Sequence, residues 1–563
     1  MRELPLTATG LLRTFAEAGM IALPDVHLAR RMARGHEPDE RVVLACALAV
    51  RELRLGSVCL KLAQAHLLKP VAAIDDGLAA EEGPLPWPDP DEWAALVAAS
   101  PLVGERAPFV FDHGLLYLAR FHAEETRVAD ALRARRALPT DEGRAPLPGT
   151  GDPDPAQDAA VAAALRHRTT VITGGPGTGK TTTVVRVLNS LGAEQPVSIA
   201  LAAQTGKAAR QLHDAVVPRL RPGTSTQVPQ ASTLHRLLGL PVRGPRVQHD
   251  RTNPLPHDVV VVDEVSMVSL EHMAALLDAV SDHTRLVLVG DPHQLRSVEA
   301  GAVLADVVET PSLLREGSIV ELRTNHRSAD DIRALAAAVH AGDEARALAV
   351  IAEAERVTWV DYDGAGISAL EPFRTDVVEQ GRRIHDAARQ GDARGALAAL
   401  AGHRVLCAHR LGSHGVQDWG RAARELVARA DPGHGEGFGH VGQPLLLTRN
   451  TDRFSNGDVA VVIDVGGERL AAVDQGDEPV LVAPVRLTGA TDLHAMTVHK
   501  AQGGQFGTVT VVLPPEGSPL ATRELLYTAI TRARTGLRLY GSREALLECI
   551  RTPVRRASGL ARR

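Results

Sequence analysis

The chain has 563 residues, 44% of them apolar, and a formal net charge of −6. That content suffices for three or four globular units, and no apolar run reaches the roughly 18 to 20 uncharged residues of a membrane span. With no basic-then-apolar leader at the start, a cytoplasmic protein without membrane contact is expected. The acidic balance excludes a uniformly basic nucleic-acid coat but permits a local basic channel. Cys46, Cys59, Cys407 and Cys549 lie far apart without a CxxC pair, which argues against a zinc site or a disulfide framework.

Residues 1–138 are rich in Ala, Leu and Arg, with helical periodicity over Leu11 to Ala18, Asp25 to Arg34 and Arg41 to Arg51. Gly56 to Leu62 reads as the opening of another helix. Pro108 to Asp112 and Leu115 to Leu118 read as a β-hairpin about Asp112-His113-Gly114. No catalytic constellation appears here, so a small, mainly helical docking domain is expected.

Residues 139–156 carry too much Pro and Gly for an element interior and form the clearest linker. Gln157 then opens an Ala-rich helix running to Arg168. The apolar run Val171-Ile172 leads into Gly174-Gly175-Pro176-Gly177-Thr178-Gly179-Lys180-Thr181-Thr182, a phosphate-binding loop. Its spacing lets backbone N–H groups at a helix N-terminus wrap phosphate oxygens. Lys180 supplies a point charge to the β- and γ-phosphates, and the Thr181 hydroxyl can ligate Mg²⁺.

Beyond the loop, the strand-like runs Val197 to Leu201, Val259 to Asp263 and Arg285 to Gly290 alternate with helical patterns. This predicts a parallel sheet that binds ligand at its carboxyl ends. A loop-rich insertion, 221–257, surrounds a short helix at Ser232 to Leu238. Val259 to Glu264 reads as a buried strand ending in two carboxylates. Asp263 can hold Mg²⁺ through water, and Glu264 can polarise the attacking water. The next strand ends in Gly290-Asp291-Pro292-His293-Gln294-Leu295, where a glutamine amide can sense the γ-phosphate because it both donates and accepts. Arg327 and Arg532 fit arginine fingers, whose planar forks spread transition-state charge.

Residues 317–550 read as a second α/β unit. Within it, about 431–490 reads as a small inserted β-barrel, with strand-like runs at Pro444 to Leu447, Val459 to Val465, Leu470 to Val473 and Val480 to Leu487. The basic tail 551–563 is expected to fray. Of 62 basic residues only Lys61, Lys69, Lys180, Lys207 and Lys500 are lysines, and three of these lie in motif-like stretches.

In this order the motifs resemble those of superfamily 1 helicases. Gln157 looks like the adenine-reading glutamine. Ala203-Gln204-Thr205-Gly206-Lys207 and Ser232-Thr233-Leu234-His235 look like strand-contacting motifs of a first motor domain, 157–316. Thr497-Val498-His499-Lys500-Ala501-Gln502-Gly503 and the stretch Leu526 to Arg534 look like the last two motifs of a second. Leu406 to Val416, Thr448-Arg449-Asn450 and Asn456-Gly457-Asp458 resemble signatures of the D-subunit family of the RecBCD complex, the α chain of exodeoxyribonuclease V. The family's usual acidic residue in Gln-Gly-x-Glu-Phe is replaced by Gln505, which leaves the ribose contact to an amide.

The resemblance implies two RecA-like P-loop motor domains with parallel sheets, a helical N-terminal domain and an SH3-like insertion. It implies ATP and Mg²⁺ as cofactors, with Gln157, Gly174 to Thr182, Gln502, Gly503 and Gln505 around the nucleotide. Thr205, Lys207, His235, Asn450, Thr497 and His499 would contact DNA. It further implies 5′-to-3′ translocation on single-stranded DNA, within a heterotrimer with RecB-like and RecC-like subunits that processes duplex ends, the nuclease lying in a partner. Two other classes stay open on the residues alone: a stand-alone DNA or RNA helicase, and an ATP-switched binding subunit that does not translocate.

Overall fold

The computed structural model describes residues 8–70, 84–141, 144–147, 154–227, 229–240, 247–324, 329–431, 435, 437–451, 453–476 and 478–563. Among these residues the strands form four sheets. The amino-terminal sheet contains β1 (Cys59–Lys61), β2 (Phe109–Asp112) and β3 (Leu115–Leu118), antiparallel in the order β1-β3-β2. The hairpin forms as expected, with His113 in the left-handed region at φ 50°. Gly56 to Leu62 differs from its helical expectation. The helix Glu40–Arg54 ends before Gly56, at φ +92°, and Cys59 to Lys61 pair with Leu115 to Tyr117. A partner strand more than 50 residues away decides that conformation, which local periodicity cannot register.

The second sheet is wholly parallel. It holds β4 (Thr169–Gly174), β5 (Ile199–Ala203), β6 (Ala231–Thr233), β7 (Val259–Asp263), β8 (Arg285–Gly290) and β9 (Ile319–Leu322), in the order β6-β5-β7-β8-β4-β9. Both faces are buried. Val259 and Val261 point into one apolar cluster with Ile172, Leu201 and Val289, while Val260 and Val262 enter the opposite one with Val171, Leu286 and Leu288. This explains why β7 reads as a continuous valine run rather than an alternating strand. The short helix of the insertion is Leu234–Leu238, preceded by β6.

The third sheet, also parallel, contains β10 (Val357–Val360), β11 (His403–Cys407), β17 (Met496–Thr497), β18 (Phe506–Val512) and β19 (Ala533–Tyr540), in the order β10-β19-β18-β11-β17. Between β11 and β17 the chain builds an antiparallel sheet. Its strands are β12 (Pro444–Leu447), β13 (Val459–Val465), β14 (Glu468–Val473), β15 (Val480–Val482) and β16 (Ala490–Asp492), laddered β15-β14-β13-β12-β16. Its alternation is two-sided. Leu445, Leu447, Ala460 and Val462 face the sheet's own core, whereas Leu446, Val461 and Ile463 pack into the core of the parallel sheet below.

The tail does not fray. Leu560 is buried, the Val58 N–H donates to the Ala557 carbonyl, and Arg556 donates to the carbonyls of Glu299 and Gly301. Glu125, fully buried, accepts from Ser558 Oγ, Gly559 N and Arg563 Nε. The basic composition that suggested a solvated end instead serves a buried carboxylate and two backbone carbonyls.

Candidate functional site

Sheet order explains why the carboxylates, the glutamine and the glycine loop converge. β7, β8 and β4 are neighbours, and Asp263-Glu264, Asp291 to Leu295 and Gly174 to Lys180 leave their carboxyl ends side by side. The second α/β unit contributes from the opposite direction. Gln502 to Gln505 enter β18, and Arg532 enters β19, so the amino ends of that sheet face the carboxyl ends of the first. Between them lies a cleft of about 320 Å³ lined by Pro176, Gly177, Gly179, Lys180, Thr181, Asp263, Glu264 and Gln294 from one side. Gly503, Gln505, Arg532 and Arg534 line the other.

The glycine loop has the shape of a phosphate cradle. Gly179 caps the helix Lys180–Leu191 at φ +85°, a left-handed conformation that glycine adopts without strain and that places the loop at a helix N-terminus. Lys180 Nζ donates to the carbonyls of Gly174 at 2.6 Å and Gly175 at 2.9 Å, and Thr178 Oγ1 donates to Gly175 O at 2.9 Å. Thr181 lines the cleft, while Thr182 faces outward. Gln157, on the helix Pro155–Arg166, lays its amide over Gly179.

The carboxylates sit under electrostatic pressure. Burial, with Glu264 alongside, pushes Asp263 up to about 6, against the pull of Lys180. Its Oδ1 accepts from the Glu264 N–H at 2.8 Å. Glu264 has φ 54°, a conformation that costs a non-glycine residue roughly 1 kcal/mol or more and clusters at functional sites. A divalent cation fits this lining, because Thr181, Asp263 and Glu264 offer it hard oxygen donors in one cleft.

The turn after β8 is gripped from the second unit at four points. Arg532 Nη2 donates to Gln294 Oε1 at 2.7 Å, and Tyr527 Oη donates to Asp291 Oδ2 at 3.2 Å. The Leu295 N–H donates to Thr528 Oγ1 at 2.8 Å, and Gln502 Nε2 donates to Leu295 O at 3.0 Å. Arg532 is 3% exposed and also donates to Thr528 O and Gly504 O. Gln502, expected at the nucleotide, spends its amide on the interdomain carbonyl instead, while Gly503 and Gln505 do line the cleft. Gln505 Oε1 accepts from Arg534 Nε at 3.3 Å. Arg327 lies outside the described residues.

The expected DNA contacts are more dispersed. Thr205 Oγ1 caps the helix Gly206–Val216 by accepting from Ala208 N. On that helix Lys207 is half-buried, and burial lowers its pKa against the pull of Asp474 and Asp458. Arg210 donates to both Asp458 oxygens, at 3.2 and 3.3 Å, tying the helix to the loop before β13. Asn450 Oδ1 accepts from Asn456 N in that same loop. His235 is exposed and meets the ring of buried His272 edge-on at 4.2 Å. Thr497 Oγ1 accepts from Lys500 N, and His499 is half-buried. The sequence reading missed Asp291, Thr528 and Tyr527 as interdomain contacts. Their signal was present, since each lies within a motif singled out for a neighbouring residue.

Three family descriptions match the chain in order: RecBCD enzyme subunit RecD, N-terminal domain, over residues 17–117; AAA domain over 157–300; and UvrD-like helicase C-terminal domain over 492–540. The RecBCD enzyme subunit RecD of Mycolicibacterium smegmatis is 45% identical over 577 residues, covering 98% of this chain and 99% of its own. That of Mycobacterium tuberculosis H37Rv is 43% identical over 582 residues, covering 100% and 98%. The ATP-dependent RecD2 DNA helicase of Deinococcus radiodurans is 33% identical over 459 residues, 77% of this chain and 56% of its own.

Proposed function

Because the chain belongs to the RecD family of RecBCD enzyme subunits, we propose that the cleft between its two parallel-sheet units is the ATP site of a 5′-to-3′ translocase on single-stranded DNA. The protein is an ATP-dependent DNA helicase of superfamily 1. The observation that carries the site assignment is the cleft's two-sided lining, with Lys180, Asp263 and Glu264 facing Arg532 and Arg534.

In this reading Lys180 leaves the carbonyls of Gly174 and Gly175 for the β- and γ-phosphates. Thr181 and Asp263 would hold Mg²⁺, which would supply charge neutralisation at the phosphates. Glu264 orients and deprotonates the attacking water, and Gln294 faces the γ-phosphate. Arg532, with Arg327 as the second finger, spreads the transition-state charge. Gln157 reads the adenine, while Gln505 replaces a carboxylate at the ribose, where an amide still accepts from a hydroxyl. Because the groups come from two bodies, ATP draws the units together and hydrolysis releases them.

DNA would run across the ends of β5 and β6, past Thr205, Lys207 and His235. It would pass under the inserted sheet at Asn450 and on to Thr497 and His499, held mainly through its backbone. We assign the inserted sheet as a small SH3-like barrel, residues 1–138 as a docking domain, and 157–316 and 317–550 as the RecA-like motors. RecB-like and RecC-like subunits are the proposed partners, with the nuclease in one of them and the assembly in the cytoplasm. No helix of the described residues is long and apolar enough to cross a membrane.

The test is ATPase activity of the full chain with and without single-stranded DNA, followed by unwinding of duplexes bearing 5′ or 3′ tails. Stimulation by DNA and unwinding only from the 5′ tail are expected. ATP binding without stimulation by DNA would overturn the motor reading, and unwinding from the 3′ tail would overturn the polarity.

A further inference from the structure

The turn Asp291 to Leu295 holds a hydrogen-bonded relay that crosses the domain interface twice. Tyr527 Oη donates to Asp291 Oδ2, Gln294 Nε2 donates to that same oxygen at 3.0 Å, and Arg532 Nη2 donates to Gln294 Oε1. Tyr527 and Arg532 are five positions apart in one stretch, Tyr527 on the helix Arg523–Ile530 and Arg532 just beyond it. One short segment of the second unit thus grips both ends of an Asp–Gln pair in the first.

The chemistry of the relay selects one orientation of the Gln294 amide. Its oxygen and nitrogen ends are nearly alike in shape, so packing alone discriminates poorly between them. An ionised carboxylate only accepts and a guanidinium only donates. With Asp291 on one side and Arg532 on the other, Nε2 must face the carboxylate and Oε1 the guanidinium. Asp291 is 1% exposed and its Oδ1 accepts from the His293 N–H at 3.0 Å. Its Oδ2 takes one donor from its own turn, Gln294 Nε2, and one from the second unit, the Tyr527 hydroxyl. The Tyr527 hydroxyl also overhangs the phosphate loop: a Cβ on Gly175 would lie 2.9 Å from it, so the glycine lets the hydroxyl approach without being displaced.

We propose that Tyr527 is a positioning residue for ATP hydrolysis, acting through Asp291 to fix the orientation of the Gln294 amide only when the second unit is docked. The proposal rests on the reading of Gln294 as the group facing the γ-phosphate. It makes hydrolysis conditional on closure, because undocking withdraws Tyr527 from Asp291 and Arg532 from Gln294 together, leaving the Asp–Gln pair held from one side only.

The test is a double-mutant cycle on the full chain, in DNA-stimulated steady-state ATPase. Tyr527→Phe keeps the ring, which lies 6.1 Å from His340, and removes only the hydroxyl. It is expected to lower kcat about tenfold, the equivalent of about 1.4 kcal/mol, with KM for ATP within about twofold of the parent. Gln294→Ala is expected to lower kcat at least as far, and the double variant no further than Gln294→Ala alone, since no amide is left to orient. Losses that multiply in the double variant, or unchanged kcat for Tyr527→Phe, would overturn the positioning role alone. Full activity of Gln294→Ala would overturn the site reading and this proposal with it.

Discussion

Arg532 Nη2 lies 2.7 Å from Gln294 Oε1, joining residues 238 positions apart across the cleft between two parallel sheets. The arginine spends three donors on fixed acceptors, a pattern that depends on the planar fork. Lysine keeps the charge but cannot span Thr528 O, Gly504 O and Gln294 together. Arg532→Lys is therefore expected to lower single-turnover ATP hydrolysis by about a thousandfold, the scale of an arginine-finger loss. A rate within tenfold of the parent would show that charge alone suffices.

Lys180 and Glu264 separate binding from turnover. Lys180→Ala removes the ammonium now held by Gly174 and Gly175 and is expected to abolish hydrolysis. Glu264→Gln keeps the shape while removing the base, so nucleotide binding should persist as turnover disappears. Equilibrium binding of a fluorescent ATP analogue, paired with phosphate release, checks both. Near-normal release from either variant would contradict the site assignment.

The carboxyl-terminal strap has its own test in Gly559. A Cβ there collides with the Tyr117 hydroxyl, which itself donates to Glu125 at 3.0 Å. Gly559→Ala should displace the tail and remove the Ser558, Gly559 and Arg563 donors from buried Glu125, costing about 3 kcal/mol. Faster amide exchange over 115–137, with unchanged exchange around β7, is the expected signature.

Acid sensitivity follows from His403. Burial pushes this imidazole down to about 3, and its Nε2 lies 2.9 Å from Thr510 Oγ1. Between pH 3 and 6.5 the unfolded state binds the proton that the folded state refuses, so stability rises with pH across that window and is lost on acidification. At pH 5 the loss is on the order of 2 kcal/mol. Urea midpoints at pH 7 and 5 should fall together more closely in His403→Gln than in the parent. An equal acid shift in both would show that the imidazole does not titrate as described.

Much of the first parallel sheet was legible because its signals are local. The valine run of β7 and the strand β8 have the bounds their residues predicted, and the glycine spacing at 174–181 carries its own geometry. The strand runs of the inserted sheet were legible for the same reason, a short apolar run between turn residues. Gly56 to Leu62 and the tail were misread because their conformations answer to distant partners. The Gln502 contact with Leu295 was not legible for a related reason, since its motif names a neighbourhood and not the carbonyl its amide meets.

The sequence by itself determined the phosphate loop, the paired carboxylates and the family, because these rest on residue identity at short spacing. Only the tertiary structure decided that Arg532 meets Gln294, that Tyr527 meets Asp291 over Gly175, and that Glu125 holds the chain's end. Those contacts depend on how the amino ends of one sheet are set against the carboxyl ends of another, a relation fixed by packing over hundreds of residues and written in no local pattern.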